Sequence, residues 1–142
     1  MINPNDYLDQ LVTLVQTAVD HPDTWNKVYG FRAAPQVYKR YIIVTYMGAE
    51  SQHGSNTTGG RSVGVDFLIV LFAQHDKSEA AMEAVERDMN EAEYLITKSL
   101  LETRDNSVDW MKAIIPFPTN RPRQPREMPE TRLAEIPVRL FT

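Results

Sequence analysis

Residues 76–103, DKSEAAMEAVERDMNEAEYLITKSLLET, decide the fold. Met82, Val85, Met89, Ala92, Ile96 and Leu100 recur every three or four positions, so one stripe of a helix is apolar and calls for burial. Glu79, Glu83, Glu86, Arg87, Glu91 and Glu93 fill the other faces, and no Gly or Pro interrupts the run. Asp76 with Glu79 three residues later predicts a capping box, and acids in the first turn suit the positive end of the helix dipole. A helix of about 26 residues at about 1.5 Å each is on the order of 39 Å long and needs a broad partner. Four runs rich in Val, Ile, Leu, Tyr and Phe supply it as strands: 37–47, 63–74, 108–117 and 131–141.

Working outward, 48–62 holds Gly48, Gly54, Gly59 and Gly60 among Ser, Asn, Thr and Gln, which predicts an exposed, mobile hairpin loop. It is longer than the usual two to five residues of a hairpin, a feature of functional or disordered loops. In 63–74, Val63, Val65, Phe67, Ile69 and Leu71 line one face while Leu68, Val70 and Phe72 make the other apolar too, so a central strand covered on both sides is predicted. Asn3, Pro4 and Asp6 mark the start of a first helix with Leu8, Leu11, Val12, Val15 and Val19 on its apolar face, ending near Asp20 before Pro22. Residues 22–35 read as a loop with a short strand. In the last run Ala134, Ile136, Val138 and Leu140 share a face, and Pro137 points to an edge strand because it cannot donate to a ladder. These elements make an α+β domain spanning 1–142: a mainly antiparallel four- to five-stranded sheet with the long helix and an amino-terminal helix packed on it.

The totals exclude several classes. A net charge of −4 argues against general nucleic-acid affinity, and the absence of cysteine rules out disulfides, thiolate metal sites and a cysteine nucleophile. The longest uncharged apolar run, 67–73, is far shorter than the roughly 18 to 20 residues that span a bilayer, and residues 1–6 lack the pattern of a signal peptide. A soluble protein, intracellular when made, is expected. His21, His53 and His75 have no partner at metal-ligand spacing and read as solvated loop residues. The glycines of 54–60 lack the Gly-Lys-Ser/Thr ending of a phosphate loop, Glu79, Glu83 and Glu86 sit on a solvated helix face, and no serine has a readable base. No enzyme, metal or cofactor is expected.

Charge placement says more. Residues 76–93 carry seven acids against Lys77 and Arg87, whereas 116–129, PFPTNRPRQPREMP, holds five prolines, Arg121, Arg123 and Arg126, and one acid, Glu127. The latter is predicted to be an extended basic arm. It can fold back onto its own helix, meet a neighbouring subunit's acidic surface, or touch nucleic acid, for which it lacks interleaved aromatics.

The amino-terminal NPNDYLDQLVTLVQ, the strand YKRYIIVTYMG, the polar loop AESQHGSNTTGG, the strand RSVGVDFLIVLFA and the ending RLAEIPVRLFT occur in an order that resembles the tail terminator family of long-tailed bacteriophages. Related phage neck and tail-completion proteins look similar, and no signature motif carries the likeness. The resemblance implies a homo-oligomeric ring, usually of six, that caps the tail tube, stops its growth and presents the surface joining the head. It would be assembled in the host cytoplasm and reside in the tail or neck of the virion. Its partners would be copies of itself, the tail tube protein, a head-completion or neck protein and, in a contractile tail, a sheath protein, with DNA passing through the lumen. The same resemblance implies contacts through loop 48–62, with His53 and Arg61, and through arm 116–129, with Arg121, Arg123 and Arg126; Glu79, Glu83 and Glu86 would supply an opposing acidic patch. The alternative is a small ligand-binding α+β domain with a pocket beside Trp110 and Tyr46.

Overall fold

The computed structural model describes residues 3–31, 39–53, 61–105, 113–116 and 131–141. Helix α1 (Pro4–Ala18) precedes strands β1 (Lys27–Tyr29), β2 (Arg40–His53) and β3 (Arg61–Gln74), helix α2 (Glu79–Asp105), and strands β4 (Ala113–Pro116) and β5 (Thr131–Phe141). The strands form one sheet in the order β1-β2-β3-β5-β4. β1 runs parallel to β2 and every other neighbouring pair is antiparallel, so the α+β expectation holds with a short parallel edge.

Local chemistry sets both helices. The Asn3 side chain accepts a hydrogen bond from the Asn5 amide at 3.0 Å, Pro4 follows at the first helical position, and Tyr7, Leu11 and Val15 form the buried face of α1. In α2, Val85, Met89, Ala92, Ile96 and Leu100 are all buried, as their spacing predicts, while Met82 at the head of the stripe is only half-buried. Its start differs from expectation. Ser78, not Asp76, is the cap: its Oγ accepts from the Ala81 amide at 3.2 Å, the third amide of the helix, while Asp76 lies two residues too early and is exposed.

Both helices pack on one face of the sheet. Ile42 and Val44 of β2, Val65, Phe67, Ile69, Leu71 and Ala73 of β3, and Ala134, Ile136, Val138 and Leu140 of β5 join the apolar stripes of α1 and α2 in one core. Two ion pairs close this layer at its rim: Arg40 of β2 reaches Asp88 of α2 at 2.9 Å, and Arg132 of β5 approaches Glu86 at 3.8 Å. The two helices cover one face of β3; on the other, Leu68, Val70 and Phe72 are half-buried, beside Tyr41 and Ile43 of β2, which are buried at 2% and 6% exposure.

Three further expectations shift. The hairpin strands run on to His53 and back from Arg61, so ladder pairing claims most of the predicted loop 48–62 and only 54–60 lies outside the described residues. Gly48, at φ 127°, follows a bulge at Met47 that interrupts the register between Tyr46 and Gly48; the left-handed φ is one that glycine tolerates without strain. β5 is not a simple edge: β4 pairs with Val138–Phe141 and stops there, leaving Pro137 just past its end, where a missing amide breaks no β4 ladder bond. The predicted third strand is described only as Ala113–Pro116; Trp110 and residues 117–130 of the basic arm lie outside the described residues.

Candidate functional site

Among the described residues, ionisable side chains do not converge on one site. Among the described residues no group of three or more His, Asp or Glu is arranged to hold a metal ion. A cleft of about 290 Å³ at the amino end of α2 is lined by Lys39, Arg40, Gln74, His75 and Asp76. It is open, Arg40 is held by Asp88, and the His75 ring Nδ1 lies 2.9 Å from the Asp76 carbonyl oxygen. His21, expected to be solvated, is half-buried and its Nδ1 lies 2.9 Å from the Trp25 carbonyl oxygen, bracing the turn after α1. A carbonyl can only accept, so Nδ1 carries the proton in both contacts.

The acids singled out on α2 are partly engaged within the chain. Glu79 is exposed, Glu83 pairs with Arg87 one turn away at 3.0 Å, and Glu86 faces Arg132 at 3.8 Å, an ionic contact too long for a hydrogen bond. His53 and Arg61 are brought together as opposite partners at the end of the β2–β3 hairpin, described here for their backbone alone. Arg121, Arg123 and Arg126 lie outside the described residues.

The surface that sequence reading missed is the sheet face turned away from the helices, on which Tyr41 and Ile43 are buried and Tyr29, Leu68, Val70 and Phe72 half-buried. Tyr41 of β2 and Phe72 of β3 are register partners and stack with ring centroids 4.7 Å apart at 5°. Tyr29 of β1 meets Tyr41 edge-on at 6.2 Å, and Phe31 meets Tyr29 edge-on at 5.4 Å while remaining 63% exposed. Burial pushes the Tyr41 phenol above its ordinary pKa, and Tyr29 adds to the rise. The next rows across β2, β3 and β5 are Ile43, Val70 and Glu135, then Thr45, Leu68 and Pro137.

Beyond them Arg139 clamps Asp66, donating from Nε to Oδ1 at 2.7 Å and from Nη2 to Oδ2 at 3.0 Å, its stem passing over Gly64, where a Cβ would stand 3.2 Å from Arg139 Cδ. Glu135 is half-buried in this apolar field and makes no hydrogen bond or ion pair among the described residues. At the bulge, Met47 is 51% exposed and borders a hollow shared with Asp66, Leu68, Pro137 and Arg139. The signal for this face was present in the sequence: the residues between the core positions of 63–74 are apolar. Locating it required knowing that both helices lie on one side.

No protein-family model matches this chain, and a search of curated proteins finds no match. Among solved structures, a chain described as part of the virion of a native gene transfer agent particle is similar at a TM-score of 0.49 and 12% sequence identity, covering 94% of this chain and 90% of that one. No helix among the described residues is long and apolar enough to cross a membrane.

Proposed function

We propose that this chain is a structural subunit of a phage-type virion, a tail terminator that assembles as a ring on the end of the tail tube, stops its growth and offers the head-joining surface. The observation that supports it best is the lopsided sheet: both helices pack on one face, and the other is aromatic and aliphatic, with Leu68, Val70 and Phe72 half-buried beside the buried Tyr41 and Ile43. Phe31, 63% exposed, and Met47, 51% exposed, are the large apolar side chains it offers to a partner. The reading is one of shape and not of catalysis. The order of elements, which resembles that of tail terminators, supports the particular role, and with it a virion location, tube and neck partners and a hexameric ring. The basic arm and the hairpin end at His53 and Arg61 are its proposed partner contacts.

The test is to add the purified chain to a tail tube protein while the tube polymerises, and to follow tube length and end structure by electron microscopy. Shortened tubes with a ring at one end are expected. Unchanged tubes with bare ends, and a chain that stays monomeric in their presence, would overturn the proposal.

A further inference from the structure

We infer that copies of this chain join sheet to sheet, the outer edge of β4 in one copy pairing antiparallel with the outer edge of β2 in the next, around Ala49. This rests on the reading of the chain as a ring subunit and adds which strands meet.

The ladder shows which backbone groups are left over. The Gln74 amide donates to the Lys39 carbonyl at 2.7 Å, and antiparallel partners exchange bonds at every second row, so the even-numbered residues of β3 turn their amides and carbonyls toward β2 and the odd-numbered ones toward β5. Carried past the bulge, this sets Gly48 and Glu50 against Asp66 and Gly64 and turns the Ala49 amide and carbonyl outward. The same alternation turns those of Ile114 outward from β4. β1 covers β2 only at 41–43. Among the described residues no backbone hydrogen bond reaches the outer side of 48–50, and a Cβ at Gly48 would meet nothing within 4 Å. A bare edge of this kind is a template for another strand.

Chain length rules out the connections of the same copy. Residues 117–130 leave β4 at Pro116 and rejoin β5 at Thr131, about 15 links or roughly 50 Å when taut. Reaching the outer side of Ala49 takes about 19 Å across four strand spacings, and the return to Thr131, nine rows away, about 33 Å more, which leaves nothing for a ladder. Residues 30–39, turning back from Tyr29 to Arg40, reach no further than the row of Gly48, and residues 54–60, folding back from His53, no further than that of Glu50. Residues 106–112 lead into β4, on the far side of the sheet.

Direction and register select β4 of a second copy. β2, β3, β5 and β4 alternate in direction, so a β4 laid beside β2 continues the alternation. Ala49, Val65, Leu140 and Ile114 occupy one row, so the outward groups of Ile114 meet those of Ala49 with no slip along the strands. Two β2 edges would pair about a two-fold axis and stop at a dimer. An edge of β2 against one of β4 is a head-to-tail contact, the kind that closes into a ring.

The natural absence of cysteine makes the contact testable by crosslinking. Glu50 and Ala113 share the next row and would form a non-hydrogen-bonded pair between copies, the kind with the closer side chains. Full-length Glu50→Cys and Ala113→Cys are mixed under mild oxidation, with assembly followed by light scattering and thermal unfolding as the folding control. The mixture is expected to give covalent dimers on the order of tenfold above either variant alone, and the double variant to give longer covalent chains. Ala49→Pro, which removes an outward amide and no bond to β3, is expected to unfold like the parent and self-associate on the order of tenfold more weakly, the worth of about one hydrogen bond. If the chain assembles but the mixture crosslinks no better than its components and Ala49→Pro assembles normally, the inference fails and the ring reading stands. Covalent dimers of Glu50→Cys alone would mean two-fold pairing of β2 edges and would also sink it. A parent chain monomeric at every concentration, with or without tail tube protein, would overturn both.

Discussion

The two faces of β3 differ more than their composition does. Val65, Phe67, Ile69, Leu71 and Ala73 are buried under α1 and α2, whereas Leu68, Val70 and Phe72, one residue out of phase and equally apolar, remain half-buried. The difference lies in where the helices went. A strand that is apolar on both sides needs cover on both, and a chain whose two helices share one layer leaves the second cover to something else. The comparison teaches that apolar character on a strand marks a surface to be covered without saying by which molecule.

The largest expected effect is on the covered face. Met89, on the buried stripe of α2, is 0% exposed, and Met89→Asp sets an unpaired charge there. The domain is expected to lose more than about 4 kcal/mol and fail to fold, read as loss of the helical circular dichroism signal. A stable, helical Met89→Asp protein would show that α2 does not pack as described.

The sharpest use of the comparison is a pair of truncations on adjacent residues. Ile69→Ala empties a fully buried site and is expected to cost about 2–5 kcal/mol in denaturant unfolding with no separate effect on assembly. Val70→Ala, on the face turned away from the helices, is expected to cost about 1 kcal/mol in the monomer and to weaken self-association. Equal losses of monomer stability would mean that both faces are core. Smaller again is Asp66→Asn, which removes one partner of the bidentate pair with Arg139. Both side chains are partly exposed, 33% and 21%, so the loss is expected to be about 1 kcal/mol and to shrink with added salt.

Much of the fold was legible because periodicity reports burial directly. The α2 stripe, the Asn3 cap and the alternation in 63–74 and 131–141 each specify which side of an element is buried. What was not legible depended on choices made at a distance. Ser78 displaced Asp76 as cap through one residue of geometry, and the hairpin strands ran on through a Gly- and Ser-bearing stretch because cross-strand pairing overrode weak local propensity. β4 came to lie beside the last residues of β5, which a proline had marked as an edge. The face turned away from the helices could be listed residue by residue but not recognised, since nothing in the order of side chains fixes the layer that α1 and α2 share. Of the residues singled out, Glu83 and Glu86 proved to have arginine partners inside the chain, and Glu135, which drew no attention as a lone acid in a strand, acquired significance only from its apolar neighbours.

The smallest expected effect contrasts two tyrosines. Tyr7 lies on the buried face of α1 and Tyr41 on the opposite face of the sheet, and burial raises the pKa of both phenols, with Asp6 adding to the first and Tyr29 to the second. A raised folded-state pKa means that the folded chain keeps its proton where the unfolded chain has lost it. Stability is therefore full below the ordinary tyrosine pKa of about 10 and falls as pH rises from there through the folded values. Melting temperature followed from neutral to strongly alkaline pH is expected to drop across that window. Tyr41→Phe should reduce the drop, and so should Tyr7→Phe. An alkaline drop of the same size in the parent and in both variants would show that these two phenols are no better shielded in the folded chain than in the unfolded one.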